Sequence, residues 1–468
     1  MEPFRLHVFV CDQKKPEGVP CCSARGSEKV IDALRREVAA RGLDNEVQIT
    51  VCRSLGLCER GPNMVVYPDG VWYSNVAAED VPQIVREHFQ EGRAVARLVN
   101  SDGEALRREI VSNRDKMRAA LRARDQAGAL PDDLVSTIRG YQESRAILTA
   151  VELDIFTAVG PAEQAATAAE VANRIQADSR ATEMLLNALV AMGLLSKQEG
   201  TFRNTPVTNR YFVAGCRDDA RTATLHSVYT WRRWSTLTDC VRAGTSVSYQ
   251  EMSERGEEWA RAFIAAMHRN AAERAPLVVQ AVGVEGVRRM LDVGGGSAAY
   301  SIAFARASAQ LQAEVVDLPT VLPIAQGHIQ DAGLAGRVQA RAGDLRTDEF
   351  GEGYDLALIS AICHMLDPEE NRDLVRRCFA ALAPQGRIVV QDFILEPDKT
   401  APKFAALFSL NMLVGTRAGS SYSEGEYTSW LREAGFADVR HIRLPGPSGL
   451  IVGTRRACSG VGMRNPFP

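Results

Sequence analysis

Two groups of residues in this sequence have types and spacings that can do chemistry. The first is the run Met290-Leu291-Asp292-Val293-Gly294-Gly295-Gly296-Ser297, where an apolar, strand-like segment ends and a helical pattern begins. Glycines there let the backbone approach a ligand without Cβ clashes. The start of the following helix favours a negative group. A little over 20 residues on, Asp317 ends the next strand-like segment with Leu318 beside it. An acid at that place can take both hydroxyls of a ribose. Gly343-Asp344 follows a third such segment, where a carboxylate can reach an adenine amino group. The run lacks the last glycine of G-x-G-x-x-G, although alanine is accepted there, so NAD and S-adenosylmethionine compete. Asp292, directly before the glycines, favours S-adenosylmethionine. A carboxylate suits that ligand's positively charged amino-acid end and suits a pyrophosphate badly.

The second group is cysteine. Five of the ten (Cys11, Cys21, Cys22, Cys52 and Cys58) lie in the first 60 residues. The N-terminus has no long apolar segment with a small-residue cleavage site, so a cytoplasmic location is expected. In a reducing compartment, clustered cysteines point to metal or redox chemistry rather than to a disulfide scaffold. The spacings Cys52-x5-Cys58 and Cys11-x10-Cys22 do not match zinc sites. No C-x3-C-x2-C loop for radical S-adenosylmethionine chemistry occurs. Cys216, Cys240, Cys363, Cys378 and Cys458 are scattered and read as core or surface.

The elements that must position these groups follow from periodicity. The 468 residues imply two to four domains, and 46% hydrophobic residues supply more than one core. A net charge of −3 argues against nucleic acid, and the short, broken apolar runs argue against a membrane span. Residues 1–95 read as a small α/β unit: strands Leu6–Val10, Val47–Val51, Met64–Tyr67 and Val71–Tyr73, a helix Ser27–Arg41 capped by Ser27, and a helix Ala78–Phe89. Residues 96–135, rich in Arg, Asp, Glu and Ala, read as a charged helical linker. Residues 136–245 carry amphipathic helices with a short turn through Glu199-Gly200-Thr201, a winged-helix-like arrangement. Its nominal recognition helix, Ala181–Leu195, has no Lys or Arg, so dimer packing is expected in place of DNA reading. From residue 246 to 456, strands at Met290–Val293, Glu314–Val316, Val338–Arg341, Leu356–Ser360 and Arg387–Asp392 alternate with helices, the pattern of a doubly wound parallel sheet. Residues 457–468 read as a flexible tail.

Several of these segments carry a resemblance. LDVGGGSAAYSIAFA, EVVDLPTV, AGDL and ISAICHMLDPEEN resemble class I S-adenosylmethionine-dependent methyltransferases of the hydroxyindole and caffeic acid O-methyltransferase type. SRAILTAVELDIFTAVG, RATEMLLNALVAMGLL and FRNTPVTNRYF resemble the dimerisation domain of those enzymes. The resemblance implies a homodimer with a Rossmann-like catalytic domain. Asp292, Gly294 and Gly296 would hold the methionine end of the cofactor, Asp317 and Leu318 the ribose, and Gly343 and Asp344 the adenine. His364 matches the general base that takes the acceptor proton, and Asp392 the carboxylate that orients it. Met267 matches a residue lining the reacting centre. Trp231, Phe263, Asn411 and Met412, with Tyr229 and Trp234, are candidates for the acceptor pocket. Two places depart from the family. Met365 stands where an acid usually follows the histidine, and Ser421 stands where a second carboxylate flanks it. Half of the usual histidine support is therefore missing, which raises the case for an acceptor that is already acidic.

The first 90 residues resemble thioredoxin-like [2Fe–2S] ferredoxins, on HVFVC, PCCSARGSEKVIDAL and SLGLCERGPNMVVYPDGVWY. By that resemblance Cys11, Cys22 and Cys58 match three thiolate ligands. Ser54 occupies the third position of the set, and Cys52 lies two residues upstream as a displaced fourth. The expectation is thus an S-adenosylmethionine-dependent O-methyltransferase acting on a small molecule, with a possible [2Fe–2S] cluster and redox partner. S-methylation of a thiol or sulfide, and a redox sensor that binds S-adenosylmethionine without turnover, are the alternatives.

Overall fold

The computed structural model describes residues 3–15, 19–126, 128, 130–250 and 256–456, so the expected tail lies outside the described residues. The chain falls into two compact units, Met1–Gly140 and Tyr141–Pro468.

In the first unit, strands β1 (Leu6–Cys11), β2 (Val47–Cys52), β3 (Met64–Tyr67) and β4 (Val71–Tyr73) form one sheet in the order β2-β1-β3-β4. β1 and β2 run parallel, and β3 returns antiparallel to both β1 and β4. Helix Ser27–Ala40 lays Val30, Ile31, Leu34 and Val38 on the sheet, as their helical spacing requires. Ser27 does not cap it. Gly26, in the left-handed region, takes that place, and the Ser27 hydroxyl donates to Asp12 at 2.7 Å. The expected single helix Ala78–Phe89 is a 3-10 turn, a short α segment and a π segment Val85–Gln90. The π segment carries His88, whose ring meets Tyr73 Oη and Asp69 at 3.0 Å each. The charged stretch forms the helix Gly103–Gln126. It is anchored to this unit: Leu106 is buried, Arg60 pairs with Glu109 at 2.6 Å, and Asn113 donates to the Gly56 carbonyl at 3.0 Å.

The second unit begins with helices Tyr141–Glu152, Ile155–Val159, Ala168–Arg174 and Ser179–Ala191. A small sheet of β5 (Ala166–Thr167), β6 (Leu195–Gln198) and β7 (Thr201–Asn204), ordered β5-β7-β6, closes this part. Glu199 and Gly200 take φ of 48° and 78°, a two-residue hairpin that needs the glycine. Thr167 caps its helix reciprocally with Glu170.

The remainder is built on a seven-stranded sheet in the order β10-β9-β8-β11-β12-β14-β13. Its strands are β8 (Arg289–Val293), β9 (Gln312–Asp317), β10 (Val338–Ala342), β11 (Tyr354–Ser360), β12 (Leu382–Asp392), β13 (Phe436–Arg443) and β14 (Gly449–Arg455). The first five are parallel; β8, β11 and β12 at the centre are buried between two large apolar clusters and read as apolar runs, while the edge strand β10 buries only Val338. The two antiparallel strands at the edge were not expected from the sequence, and β12 begins at Leu382, directly after helix Pro368–Ala381. Strand order reverses between β8 and β11, and the carboxyl ends of these strands are where open α/β sheets bind ligands. Among the described residues no helix is long and apolar enough to cross a membrane.

Candidate active site

The glycine run forms the tight connection from β8 to helix Ala299–Ala307. Gly294 and Gly296 take φ of 66° and 56°, and a Cβ on Gly294 would lie 2.5 Å from Ile362 Cδ1, so this turn excludes any side chain. Asp317, at the end of β9, braces it: one carboxylate oxygen accepts from the Gly296 N–H at 2.8 Å and the other from the Leu318 N–H at 2.7 Å. Each oxygen keeps a further lone pair for a ligand hydroxyl. Burial pushes the Asp317 carboxyl up from its ordinary range. Gly343 is buried, and a Cβ there would lie 2.6 Å from Val316. Asp344 beside it is half-buried, with its carboxylate accepting from the Arg346 N–H at 2.9 Å.

Asp292 is fully buried. One of its oxygens accepts from the Ser301 hydroxyl at 2.7 Å, and the other has no partner. Burial pushes this carboxyl up to about 6, and the neighbouring Asp317 adds to the effect, against the Ser301 hydrogen bond. A buried carboxylate with a bare oxygen beside a glycine cradle fits the ammonium end of S-adenosylmethionine. Ser301 was not singled out in the sequence; it lies one helical turn beyond the glycines and reads as an ordinary small helix residue.

His364 sits in a 3-10 turn after β11 and Asp392 ends the adjacent strand β12, which brings residues 28 apart in sequence into contact. His364 Nδ1 and Asp392 Oδ1 lie 2.7 Å apart, both side chains buried. The carboxylate can only accept, so Nδ1 carries the proton and Nε2 is left as a base. Asp392 also accepts from the His364 N–H at 3.2 Å, the Phe393 N–H at 2.8 Å and the Tyr427 hydroxyl at 3.0 Å. Burial and the adjacent Asp392 push Tyr427 well above its ordinary value, so it stays protonated and donates. Phe408 meets the imidazole edge-on at 4.8 Å. Gly419 lets the segment before Ser421 lie on the His364 backbone: a Cβ there would overlap the His364 carbonyl.

This arrangement has known counterparts. Residues 135–214 match the O-methyltransferase dimerisation domain, and residues 234–437 match the O-methyltransferase domain. A 3-hydroxy-5-methyl-1-naphthoate 3-O-methyltransferase from Streptomyces sahachiroi is 34% identical over 333 residues, covering 69% of this chain and 95% of that protein. The chain belongs to the S-adenosylmethionine-dependent O-methyltransferase family. The tetracenomycin polyketide synthesis 8-O-methyl transferase TcmO of Streptomyces glaucescens is 29% identical, covering 69% of this chain and 97% of its own length. The solved structure of PigF with SAH is 26% identical, with a TM-score of 0.64, covering 69% of this chain and 100% of that one. The methyltransferase thus binds S-adenosylmethionine, acts on small-molecule acceptors and carries its family's dimerisation domain. Residues 1–134 lie outside both matched segments.

The family's expected acceptor residues are brought together in part. The Trp234 indole donates to Asn411 Oδ1 at 2.9 Å, joining helix Arg221–Trp234 to helix Lys403–Gly415. Phe263 stacks on Trp259 at 5.0 Å and meets His226 edge-on at 5.4 Å. Met267 follows one turn later and is half-buried, as is Trp231; Met412 is buried. Tyr229 lines a cavity of about 420 Å³ with Arg233, Thr236 and Trp259. A second cavity of about 470 Å³ is lined by Thr222, Ala265, His268 and His328. His364 lines neither. Met365 turns into the core, and the Ser421 hydroxyl is buried without a partner, so no second carboxylate reaches the histidine there.

The four cysteines expected to hold a cluster are not assembled into a ligand set. Among the described residues no group of three or more His, Cys, Asp or Glu is placed to hold a metal ion. Cys11 and Cys22 are buried and hydrogen-bonded to each other, which pulls Cys11 down to about 6 and pushes Cys22 up. Cys22 also accepts from the Asn63 amide at 3.4 Å, and Cys11 donates to the Arg53 carbonyl at 3.5 Å. Cys52 pairs with Cys11 across the β1–β2 ladder, and Cys58 lies in a separate 3-10 turn. Ser54, at the third ligand position, is exposed and accepts from the Gly56 N–H at 3.2 Å. The Cys11 and Cys22 thiols are satisfied by their own chain, and no step through a cluster follows from this set.

Proposed function

We propose that this chain methylates a hydroxyl of a small aromatic acceptor, with His364 Nε2 as the general base. The observation that carries the reading is the buried His364–Asp392 pair, completed by Tyr427. S-adenosylmethionine supplies a methyl group already activated on a sulfonium, so the protein mainly aligns the acceptor and removes its proton. Asp292 and the turn Gly294–Gly296 bind the methionine end, Asp317 and Leu318 the ribose, and Gly343 with Asp344 the adenine. Asp392 fixes the histidine tautomer and stabilises the imidazolium formed as the proton leaves the acceptor oxygen. Four hydrogen bonds to one carboxylate make up for the missing second acid. Phe263, Met267, Trp231, Asn411 and Met412 form an apolar wall with one polar anchor, which suits a flat acceptor. The Streptomyces relative named for a hydroxynaphthoate supports an aromatic acceptor.

The same reading includes a homodimer formed through residues 136–245, and a thioredoxin-like first unit. The sheet order β2-β1-β3-β4 with a parallel β1–β2 pair supports the latter. Incubating the protein with S-adenosylmethionine labelled in its methyl group and a panel of phenols, thiols and sulfide tests the activity. Label on a phenol, lost in His364→Gln, is expected. Label only on thiols or sulfide, unchanged in the variant, would reject both the hydroxyl acceptor and the base.

A further inference from the structure

The long helix Glu257–Val282 carries Phe263 and Met267, two of the expected acceptor residues, on one face. Phe263, Met267 and Arg274 lie on that face: steps of four and eleven residues return to within about 40° on a helical wheel. Arg274 is half-buried, and its guanidinium stands over the Phe393 ring, 5.3 Å from the centroid. Phe393 directly follows Asp392, and its ring lies 6.2 Å from that of His364. Arg274 therefore reaches the wall of the acceptor site. There it has no carboxylate or carbonyl partner among the described residues, only the aromatic face. Other half-buried arginines of this unit are tied down: Arg337 to two carbonyls, Arg377 to Asp373, Arg387 to the Val282 carbonyl. A half-buried guanidinium whose only partner is an aromatic face keeps its N–H donors available for an anionic ligand.

A second group at the same place is also incomplete. Gln391 precedes Asp392 on β12 and is buried. Its Oε1 accepts from the Tyr300 hydroxyl at 3.1 Å and the Ser360 hydroxyl at 2.7 Å, while its Nε2 has no partner. Tyr300 lies on the helix that follows the cofactor turn, and Gln391 stands two residues before Phe393, the ring that Arg274 covers. Two hydroxyls fix the amide through one atom and leave a buried donor without an acceptor. Neither Arg274 nor Gln391 belongs to the machinery that moves the proton.

We propose that Arg274 and the Gln391 amide form a subsite for a carboxylate on the acceptor, so that the substrate is an aromatic hydroxy acid. This deepens the hydroxyl-methylation reading and rests on its aromatic acceptor. The guanidinium takes the carboxylate by charge-assisted hydrogen bonds, and the amide N–H supplies a further donor.

The test uses the full chain saturated with S-adenosylhomocysteine, titrated calorimetrically with 3-hydroxy-1-naphthoate and with its methyl ester. The acid is expected to bind at least about tenfold tighter than the ester, the range for a hydrogen-bonded charged group. Arg274→Met keeps the stem's packing and should erase that preference, leaving ester and S-adenosylhomocysteine affinities within about twofold. Arg274→Lys should restore part of it, and Gln391→Leu should lose a smaller part. No binding of the acid at millimolar concentration, or equal binding of acid and ester, overturns the proposal. A loss of S-adenosylhomocysteine affinity matching the loss of the acid in Arg274→Met also overturns it, by giving the guanidinium to the cofactor's own carboxylate. Because binding is read without turnover, a retained acid preference with no labelled methyl transferred would reject the hydroxyl reading and leave the subsite standing.

Discussion

Two aspartates end strands of the same sheet, separated by one strand, and both are buried, yet they are built for opposite purposes. Asp392 is saturated by its own chain: two backbone N–H groups, a tyrosine hydroxyl and the imidazole all donate to it. Asp292 has a single side-chain donor, Ser301, and a bare oxygen, and its proton affinity rises until the carboxyl titrates at about 6. The fold has completed one carboxylate and left the other for a ligand to complete. Unmet hydrogen-bonding capacity inside a protein is costly, so a bare carboxylate oxygen beside a glycine turn fits a place kept for a ligand. The completed carboxylate marks the place where geometry must not move.

That contrast can be broken from the largest effect downward. His364→Ala removes the base and should lower kcat on a phenolic acceptor by about 10²–10⁴-fold, with the affinity for S-adenosylhomocysteine unchanged. The loss should shrink as the acceptor's own pKa falls, because an ionised oxygen needs no base. A uniform loss across acceptors of different acidity would show that the histidine holds the substrate and does not take its proton. Asp392→Asn keeps the shape but exchanges an acceptor-only group for an amide, so the imidazole can settle in the wrong tautomer. We expect a loss on the order of 10²-fold in kcat, again without a change in cofactor affinity.

Asp292→Asn should act on the other side. Binding of S-adenosylhomocysteine should weaken by roughly tenfold or more, since a charge-assisted contact is lost. In the unchanged protein the carboxylate must be ionised to take an ammonium group, so affinity should fall as pH drops below about 6. In the variant that dependence should vanish. Stability moves the opposite way. The folded carboxyl is raised to about 6 from an unfolded value near 3.8, so the folded state holds a proton that the unfolded state releases between these pH values. The ligand-free protein therefore loses stability as pH rises through this window, on the order of 2–3 kcal/mol at neutral pH. Asp292→Asn should melt several degrees higher than the parent at pH 7.5 and with it at pH 4. Melting curves with and without S-adenosylhomocysteine read both effects, and a variant that is less stable at pH 7.5 would refute the assignment of an unpaired buried charge.

What could be read from the sequence divides along the same line. The central parallel strands were legible because strands buried on both faces are continuous apolar runs, and Asp292 and Asp317 stood out at the ends of such runs, whereas His364 and Asp392 were singled out only through the family resemblance. Tyr427 was not: it lies 35 residues from Asp392 in an amphipathic helix, where a tyrosine reads as core. Arg274 and Gln391 were missed for the same reason, since their meaning comes from partners they lack, and a sequence does not show a missing partner. The edge strands β13 and β14 were not legible, because the large apolar residues of Phe436–Arg443 fall three apart, at 436, 439 and 442, with an irregular register between Ala437 and Arg440. At the N-terminus the resemblance to ferredoxins implied a four-ligand set, but strand register and hydrogen bonding pair Cys11 with Cys22 and Cys52 and leave Cys58 apart.

The finest test concerns the donor that the sequence concealed. Tyr427→Phe deletes one hydroxyl and keeps the ring against Tyr422 and Trp430, which it meets at 6.1 and 5.3 Å. Removing one of four donors should cost about 1 kcal/mol of stability. Its effect on kcat should be less than about tenfold, because the His364–Asp392 contact survives. A structural role alone would stop there. If the hydroxyl tunes the pair, the carboxylate it no longer satisfies will bind the imidazolium more tightly, and His364 will hold its proton to higher pH. The acidic limb of the pH profile of kcat/KM should then move up in Tyr427→Phe, with the alkaline side unchanged. A limb that stays in place while the melting temperature falls would reduce Tyr427 to packing, and would leave Asp392 held in position by backbone alone.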